Sequence, residues 1–311
     1  MKVVFFATPN IAIKSFEFFI NSSDYEVLAL VVQKPKAQGR GRKIVDREIT
    51  KIAKNHSILV LEPDRISKEP LIIEKLKELK ADFFITFAFG QILSQEVLDI
   101  PKYGVINLHA SLLPLLRGPS PIAQAIIEGH PYSGITAMKT VLELDAGDIC
   151  LQEKIDIPID MNVIELQEEI SKKSPQLLDK TLKGLYNNSL SPIPQDHTKA
   201  TFTKKITKEQ KAIDWTKDAL SIHNKIRAMY SINTNHTTYE GKIIKILQTQ
   251  FQENESLNKQ GQVIELDKTG ITVGCAKGSV KIITLKPEGR GQMKARDWAM
   301  GSRIKKGDFF Q

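Results

Sequence analysis

The order of apolar and polar positions divides the chain into two regions. Through the first 160 residues, short apolar runs alternate with amphipathic stretches. Val3–Ala7 is a continuous apolar run suited to a strand buried on both faces, and Thr8-Pro9-Asn10 breaks it. Ile11–Ile20 follows with Ala12, Phe16, Phe19 and Ile20 at helical spacing. The pattern then predicts a strand at Val27–Val32, a helix at Asp46–Asn55, a short strand at Ile58–Leu61 and a helix at Leu71–Leu79. Next come a strand at Phe83–Phe87, a short helix at Ser94–Leu98 with Ser94 as its cap, and a strand at Val105–Leu108. Strands alternating with helices indicate a parallel α/β sheet. After a helix at Ile122–Ile127, Gly134–Leu142 and Ile149–Ile157 read as successive strands joined by Glu143–Asp148, and Val163–Leu185 reads as a long helix.

The polar stretch Asn187–Thr201 carries two prolines and is the best linker candidate. Beyond it the pattern changes. One helix, Ala219–Met229, precedes short strand-like runs at Lys242–Leu247, Gly261–Glu265, Gly270–Gly274 and Ser279–Leu285. Short strands separated by polar turns suggest a small β-barrel or sandwich. The expected organisation is a first domain over 1–189, a linker over 190–205 and a second domain over 206–311.

Composition narrows the class. At 311 residues, with 41% hydrophobic and 26% charged residues, a disordered or fibrous chain is excluded. Two cysteines, Cys150 and Cys275, supply neither a disulfide framework nor a metal-binding spacing, so a reduced, cytoplasmic compartment is expected. The first ten residues lack the features of a signal peptide, and no apolar stretch reaches the ~18 residues of a membrane span. The formal net charge of +8 is unevenly spread. Residues 1–200 carry 24 basic and 25 acidic side chains, whereas residues 201–311 carry 20 and 11. The whole excess lies in the last third, as in a module that binds a polyanion, although lysine-rich surfaces also arise simply as solvated faces.

Candidate chemistry falls at strand ends, where open parallel sheets bind ligands. In Val105-Ile106-Asn107-Leu108-His109, alternation projects Asn107 and His109 to one side. In Glu143-Leu144-Asp145-Ala146-Gly147-Asp148, glycine permits a tight bend beside Asp145. Each residue alone is most often a structural hydrogen-bonder. Together, an amide donor, an imidazole and a carboxylate suit acyl transfer to an amine without a covalent enzyme intermediate. No metal ligand set is apparent.

Four segments, NLHASLLP at Asn107–Pro114, RGPSPI at Arg117–Ile122, GIT at Gly134–Thr136 and ELDAGDI at Glu143–Ile149, resemble the folate-dependent formyltransferases in order and spacing. FFATPN near the N-terminus and FAFGQIL at Phe87–Leu93 are weaker matches. The resemblance implies a Rossmann-like, mostly parallel N-terminal domain with Asn107, His109 and Asp145 as the catalytic positions. Asn107 would donate to the formyl oxygen. His109 would polarise the same group or shuttle a proton. Asp145 would orient His109 and help to deprotonate the attacking amine. The family's formyl donor is 10-formyltetrahydrofolate, and no metal is implied. The Ser111-Leu112-Leu113-Pro114 turn resembles the folate-binding element, with Phe89, Gly90, Gln91 and Ile92 and the backbone near Val141 and Leu142 lining the pterin pocket.

Two further features resemble the family members that act on methionyl-tRNA. Gln38-Gly39-Arg40-Gly41-Arg42-Lys43 is similar to a glycine-arginine loop that reaches the tRNA acceptor end, so Arg40, Arg42 and Lys43 are implied contacts. AIDW at Ala212–Trp215, KIRAM at Lys225–Met229 and the run Gly261–Cys275 resemble an appended barrel of oligonucleotide-binding type. Lys204, Lys205 and Lys208, then Lys281, Lys286, Arg290, Lys294 and Arg296, are candidate phosphate contacts. The implied partner is initiator methionyl-tRNA in translation initiation, with the protein expected to be monomeric. The alternative is an amino-sugar N-formyltransferase using the same donor. The sequence departs from the family pattern at Leu115, where a basic residue is usual, at Ala7, where glycine is common, and at Tyr230–Asn235, which replaces a proline- and tryptophan-containing turn.

Overall fold

The computed structural model describes residues 1–34, 46–207, 209–230, 234–253 and 259–311. Arg40, Arg42, Lys43 and Lys208 therefore lie outside the described residues. The chain forms two compact units, one of residues 1–121, 132–156 and 167–203, the other of residues 122–131, 157–166 and 204–311.

Along the chain, β1 (Lys2–Ala7), α1 (Ile13–Asn21), β2 (Glu26–Val31), α2 (Glu48–Asn55), β3 (Leu59–Leu61), α3 (Pro70–Glu78), β4 (Phe83–Phe87), α4 (Gln95–Leu98) and β5 (Val105–His109) alternate. Next come α5 (Pro121–Ile127), β6 (Tyr132–Lys139), β7 (Ile149–Asp156) and α6 (Val163–Tyr186). The seven strands form one sheet in the order β3-β2-β1-β4-β5-β6-β7. The first five are parallel, and β6 and β7 are antiparallel to their neighbours. This is the mostly parallel α/β sheet that the alternation predicts. The chain winds from β1 out to β3 and then returns to β4 on the other side of β1, which leaves a crevice at the carboxyl ends of β1 and β4.

The apolar run of β1 is explained by what covers it. Phe5 meets Phe16 and Phe19 of α1 edge-on, each at 5.3 Å between ring centres. Phe6, on the opposite face, meets Phe84 at 5.1 Å and Phe89 at 5.4 Å. Both faces are buried, so no polar alternation survives. Helix α6 carries Pro175 in its interior, which has no N–H for the carbonyl of Ser171. The Ser174 hydroxyl donates to that carbonyl at 3.0 Å and lies 2.7 Å from the hydroxyl of Ser15 on α1.

Residues 190–203, expected to begin the linker, belong to the first unit. Ile193 exchanges two backbone hydrogen bonds of 2.8 Å with Ile149, and Gln195 is buried. Backbone pairing to the sheet edge fixes a stretch whose composition reads as a loop.

The second unit contains α7 (Ala219–Ala228), β8 (His236–Tyr239), β9 (Lys242–Gln252), β10 (Val263–Leu266), β11 (Ile271–Gly274), β12 (Ser279–Pro287), β13 (Met293–Lys294) and α8 (Ala295–Ser302). Its strands pair antiparallel in the order β10-β11-β12-β9-β8, with β13 added to β12. The path has two ends, so the expected barrel is an open half-barrel. Trp215 and Trp298 stack on Phe310 in its core, and Tyr239 meets Trp298 edge-on. Asp218 caps α7 by accepting from the Ser221 N–H at 2.8 Å.

His223 of α7 is buried among polar partners. Its Nε2 donates to the Ile159 carbonyl at 2.9 Å and its Nδ1 accepts from the Thr249 hydroxyl at 3.0 Å. Burial holds its pKa below the usual 6.5, helped by the Arg227 charge and opposed by the Ile159 carbonyl and by Asp160. The folded state therefore holds a neutral ring where the unfolded chain binds a proton below about pH 6.5. Stability from this group is complete above that pH and falls as acid titrates through the depressed folded value. Both tryptophans lie in this unit. The urea midpoint followed by tryptophan fluorescence is expected to fall between pH 7 and pH 5, and to fall less in His223→Gln, whose amide can still donate to Ile159.

Candidate functional site

The end of β5 sets two polar side chains between two threonines of neighbouring strands. Register places Thr86 of β4 beside Asn107 and Thr136 of β6 beside His109. The Thr86 hydroxyl donates to Asn107 Oδ1 at 2.8 Å. This assigns the amide, leaving its N–H₂ end to donate elsewhere. His109 is 6% exposed. Its Nε2 lies 2.9 Å from the Leu116 carbonyl, which can only accept, so Nε2 carries the proton. Nδ1 then faces Asp145 Oδ2 at 3.6 Å. The bond that orients the ring thus comes from a backbone carbonyl, and the carboxylate stands across a gap that a proton can bridge.

Asp145 adopts φ +50° in the turn between β6 and β7. Its Oδ2 accepts from the Gly118 N–H at 2.8 Å. Gly118 has φ +108°, and a Cβ there would meet the Thr203 carbonyl oxygen at 2.8 Å, so the glycine of RGPSPI is required by close approach. The GIT segment has a similar explanation. A Cβ on Gly134 would meet the Glu153 carbonyl at 2.3 Å and Leu112 Cδ2 at 2.5 Å. The Thr136 hydroxyl donates to the Ser111 carbonyl at 2.6 Å and accepts from the Leu113 N–H and from Gln152 Nε2. It holds the turn that follows His109.

The residues expected to line a folate pocket separate into two groups. Phe89 is buried in the core beneath β1, and the buried Ser111 hydroxyl donates to the Leu115 carbonyl at 2.6 Å. Leu113 is buried and its carbonyl accepts from Gln152. Gln91 staples its loop by accepting from the Ile66 N–H and donating to the Pro63 carbonyl. These side chains shape the walls. Ile92, at 80% exposure, with Val141, Leu142 and Leu144, presents exposed apolar surface instead. Gly90, Gln91 and Ile92 border a cavity of about 760 Å³ with Gln33, Lys34, Asp64 and Arg65, at the crevice where the strand order reverses. Val141 borders a second cavity of about 610 Å³ with Leu98, Val105 and Thr140. Both are of a size that holds a small organic ligand. Leu112 and Pro114 are partly buried in the turn.

Of the expected polyanion contacts, Lys204 and Lys205 are exposed, as are Lys286, Arg290, Lys294 and Arg296. Lys281 is not available. It is 9% exposed and its Nζ donates to Asp267 at 2.6 Å and to Thr269 at 3.0 Å. Among the described residues, no group of three or more His, Cys, Asp or Glu side chains is placed to hold a metal ion. No described helix is long and apolar enough to cross a membrane.

Residues 1–182 match the formyl transferase family model and residues 205–303 match the model of the formyl transferase C-terminal domain. A methionyl-tRNA formyltransferase of Clostridium botulinum is 42% identical over 277 residues, covering 89% of each chain. One of Clostridium perfringens is 38% identical over 307 residues, covering 99% of each. The chain belongs to the methionyl-tRNA formyltransferase family. The fold is also that of an N-formyltransferase of Helicobacter canadensis solved with folinic acid and dTDP-3-aminofucose, with TM-score 0.69 and 20% identity over 90% of this chain and 97% of that one. In this member of the methionyl-tRNA formyltransferase family, the sequence pattern did not single out Thr86, Leu116 or Gly118 as individual site residues. Thr86 carried a signal, being the one polar residue of the β4 run FFITF. The Leu116 carbonyl carried none, because a backbone acceptor has no side-chain signature.

Proposed function

We propose that the chain transfers the formyl group of 10-formyltetrahydrofolate to the α-amine of methionyl-initiator tRNA, in the cytoplasm, as a monomer, for translation initiation. What carries the reading is the near full-length identity to methionyl-tRNA formyltransferases, which extends through the C-terminal domain as well as the strand-end site. The flat ring of the donor packs against Ile92 in the cavity that Gly90 and Gln91 border. Residues 1–189 carry the chemistry and residues 206–311 the tRNA body. Lys204 and Lys205, with Lys208 and the loop residues Arg40, Arg42 and Lys43, meet phosphates.

In the proposed reaction the amine nitrogen attacks the formyl carbon, the carbonyl oxygen gains negative charge, and the bond from carbon to the donor nitrogen then breaks. Asn107 meets the oxygen with its N–H₂ end, held there by the Thr86 hydroxyl. The Nδ1 lone pair of His109 and the Asp145 carboxylate face one another and take the proton that the amine loses, which is returned to the departing nitrogen. The Gly118 N–H keeps the carboxylate in place.

A two-acceptor assay tests this. Purified protein with the folate donor is expected to formylate charged initiator tRNA and to leave a nucleotide-linked amino sugar untouched. Formylation of the sugar with no response to charged tRNA would replace this reading by the amino-sugar one.

A further inference from the structure

We infer that Arg117 and Gln195 are positioning residues, a buried pair that clamps the Asp145 turn from behind. The inference rests on the formyl-transfer reading of the site given above. Arg117 is 1% exposed, the largest of the fully buried side chains. A buried guanidinium is costly unless its N–H groups are partnered. Here Nε and Nη2 both donate to the side-chain oxygen of Gln195, at 3.2 and 2.8 Å. Nη2 also meets His197 Nδ1 at 3.3 Å. The nearest carboxylate, Glu143, stands 3.7 Å from Nη1 and is mostly exposed. The inward-facing partner of this cation is therefore a neutral amide.

That amide has a second end. With its oxygen fixed by Arg117, Gln195 must turn Nε2 the other way, where it donates to the Asp145 carbonyl at 2.9 Å and to the Gly147 carbonyl at 2.7 Å. The turn it grips is one that needs holding. Asp145 is in the left-handed region, and Gly147 is so close to Lys139 that a Cβ would fall 1.8 Å from the carbonyl oxygen. The backbone of Arg117 is itself fixed by Thr201 and Thr203, and the next residue, Gly118, supplies the N–H that holds the Asp145 carboxylate. Asp145 is thus gripped twice: its backbone through Arg117 and Gln195, its carboxylate through Gly118. Both grips start from two adjacent residues, Arg117 and Gly118.

A pair that acts through Asp145 behaves differently from one that merely supports the fold. Gln195→Leu keeps the volume and removes the two bonds to the Asp145 and Gly147 carbonyls together with the two that Arg117 donates. It is expected to lower kcat on the order of 10²-fold, as a misplaced catalytic group does, with KM for charged tRNA and for the folate donor changed by less than about twofold. In an Asp145→Asn background the same change should cost less than about threefold more, because its target is already lost. Independent, multiplicative losses would overturn the inference. Gln195→Glu guards against a folding defect. It keeps a partner for Arg117 but sets carboxylate oxygens against two carbonyls, so kcat should fall similarly with the melting temperature retained. A Gln195→Glu protein with normal kcat would also overturn it. Amide exchange supplies a readout independent of activity: the Gly118 N–H should exchange about tenfold or more faster in Gln195→Leu, with the amides of β5 unchanged. Unaltered Gly118 exchange rules out the clamp whatever the substrate. Wild-type protein inactive toward charged tRNA would instead remove the functional reading and leave the exchange result to decide the clamp.

Discussion

Replacing His109 with alanine is expected to lower formyl transfer to charged tRNA by about 10³-fold, within the range for loss of a positioned acid–base group. The size follows from geometry. The ring is nearly closed to solvent, its Nε2 proton is committed to Leu116, and only Nδ1 is left for chemistry, facing Asp145. The variant loses one hydrogen bond to the protein, so its fold should survive. Steady-state kinetics with tRNA and folate affinities measured separately check this. A loss confined to kcat fits the proposed role. A matching collapse of tRNA affinity would make His109 a structural residue.

The second large effect is ionic. Raising salt from 50 to 200 mM is expected to weaken tRNA binding by about 10³-fold or more if six or more phosphates are contacted, since each contact releases condensed counterions. The basic excess lies entirely beyond residue 200, and Lys204, Lys205, Lys286, Arg290, Lys294 and Arg296 are exposed there. Lys281 does not add to the slope, because Asp267 neutralises it within the fold. Binding of the folate donor should change far less. Filter binding across a salt series, with donor binding by calorimetry in the same buffers, makes the comparison. A shallow tRNA slope would mean that the basic residues only solvate the surface.

Much of the first unit was legible because its signals are local. Apolar runs of five or six residues gave β1, β2 and β4, and helical spacing gave α1 and α3. The second unit was harder. β8 reads His-Thr-Thr-Tyr and α8 reads Ala-Arg-Asp-Trp-Ala-Met-Gly-Ser, and neither has a period of its own. Each is held by tertiary packing. Trp298 of α8 meets Tyr239 of β8 edge-on at 5.7 Å, and the Tyr239 hydroxyl donates to Asp308. The C-terminal end of β9, expected at Leu247, differs for a related reason. The strand runs on to Gln252 because β12 pairs with its polar second half, where Gln250 and Gln252 lie opposite Lys281 and Ser279.

The sequence by itself determined that Asn107 and His109 share one side of β5, since strand period is a property of neighbours in the chain. That Asp145 joins them was implied by the resemblance of four motifs to the formyltransferases, and the pairing of β6 with β5 brings it there. Only the tertiary structure decided what each of them does with its polar atoms. It gave the His109 proton to the Leu116 carbonyl, the Asp145 carboxylate to the Gly118 N–H, and the Arg117 guanidinium to Gln195, 78 residues away. It also withdrew Phe89, Ser111 and Lys281 into internal contacts. Hydrogen bonds to backbone atoms and to distant side chains leave no periodic trace, because their partners are fixed by how the strands and turns pack.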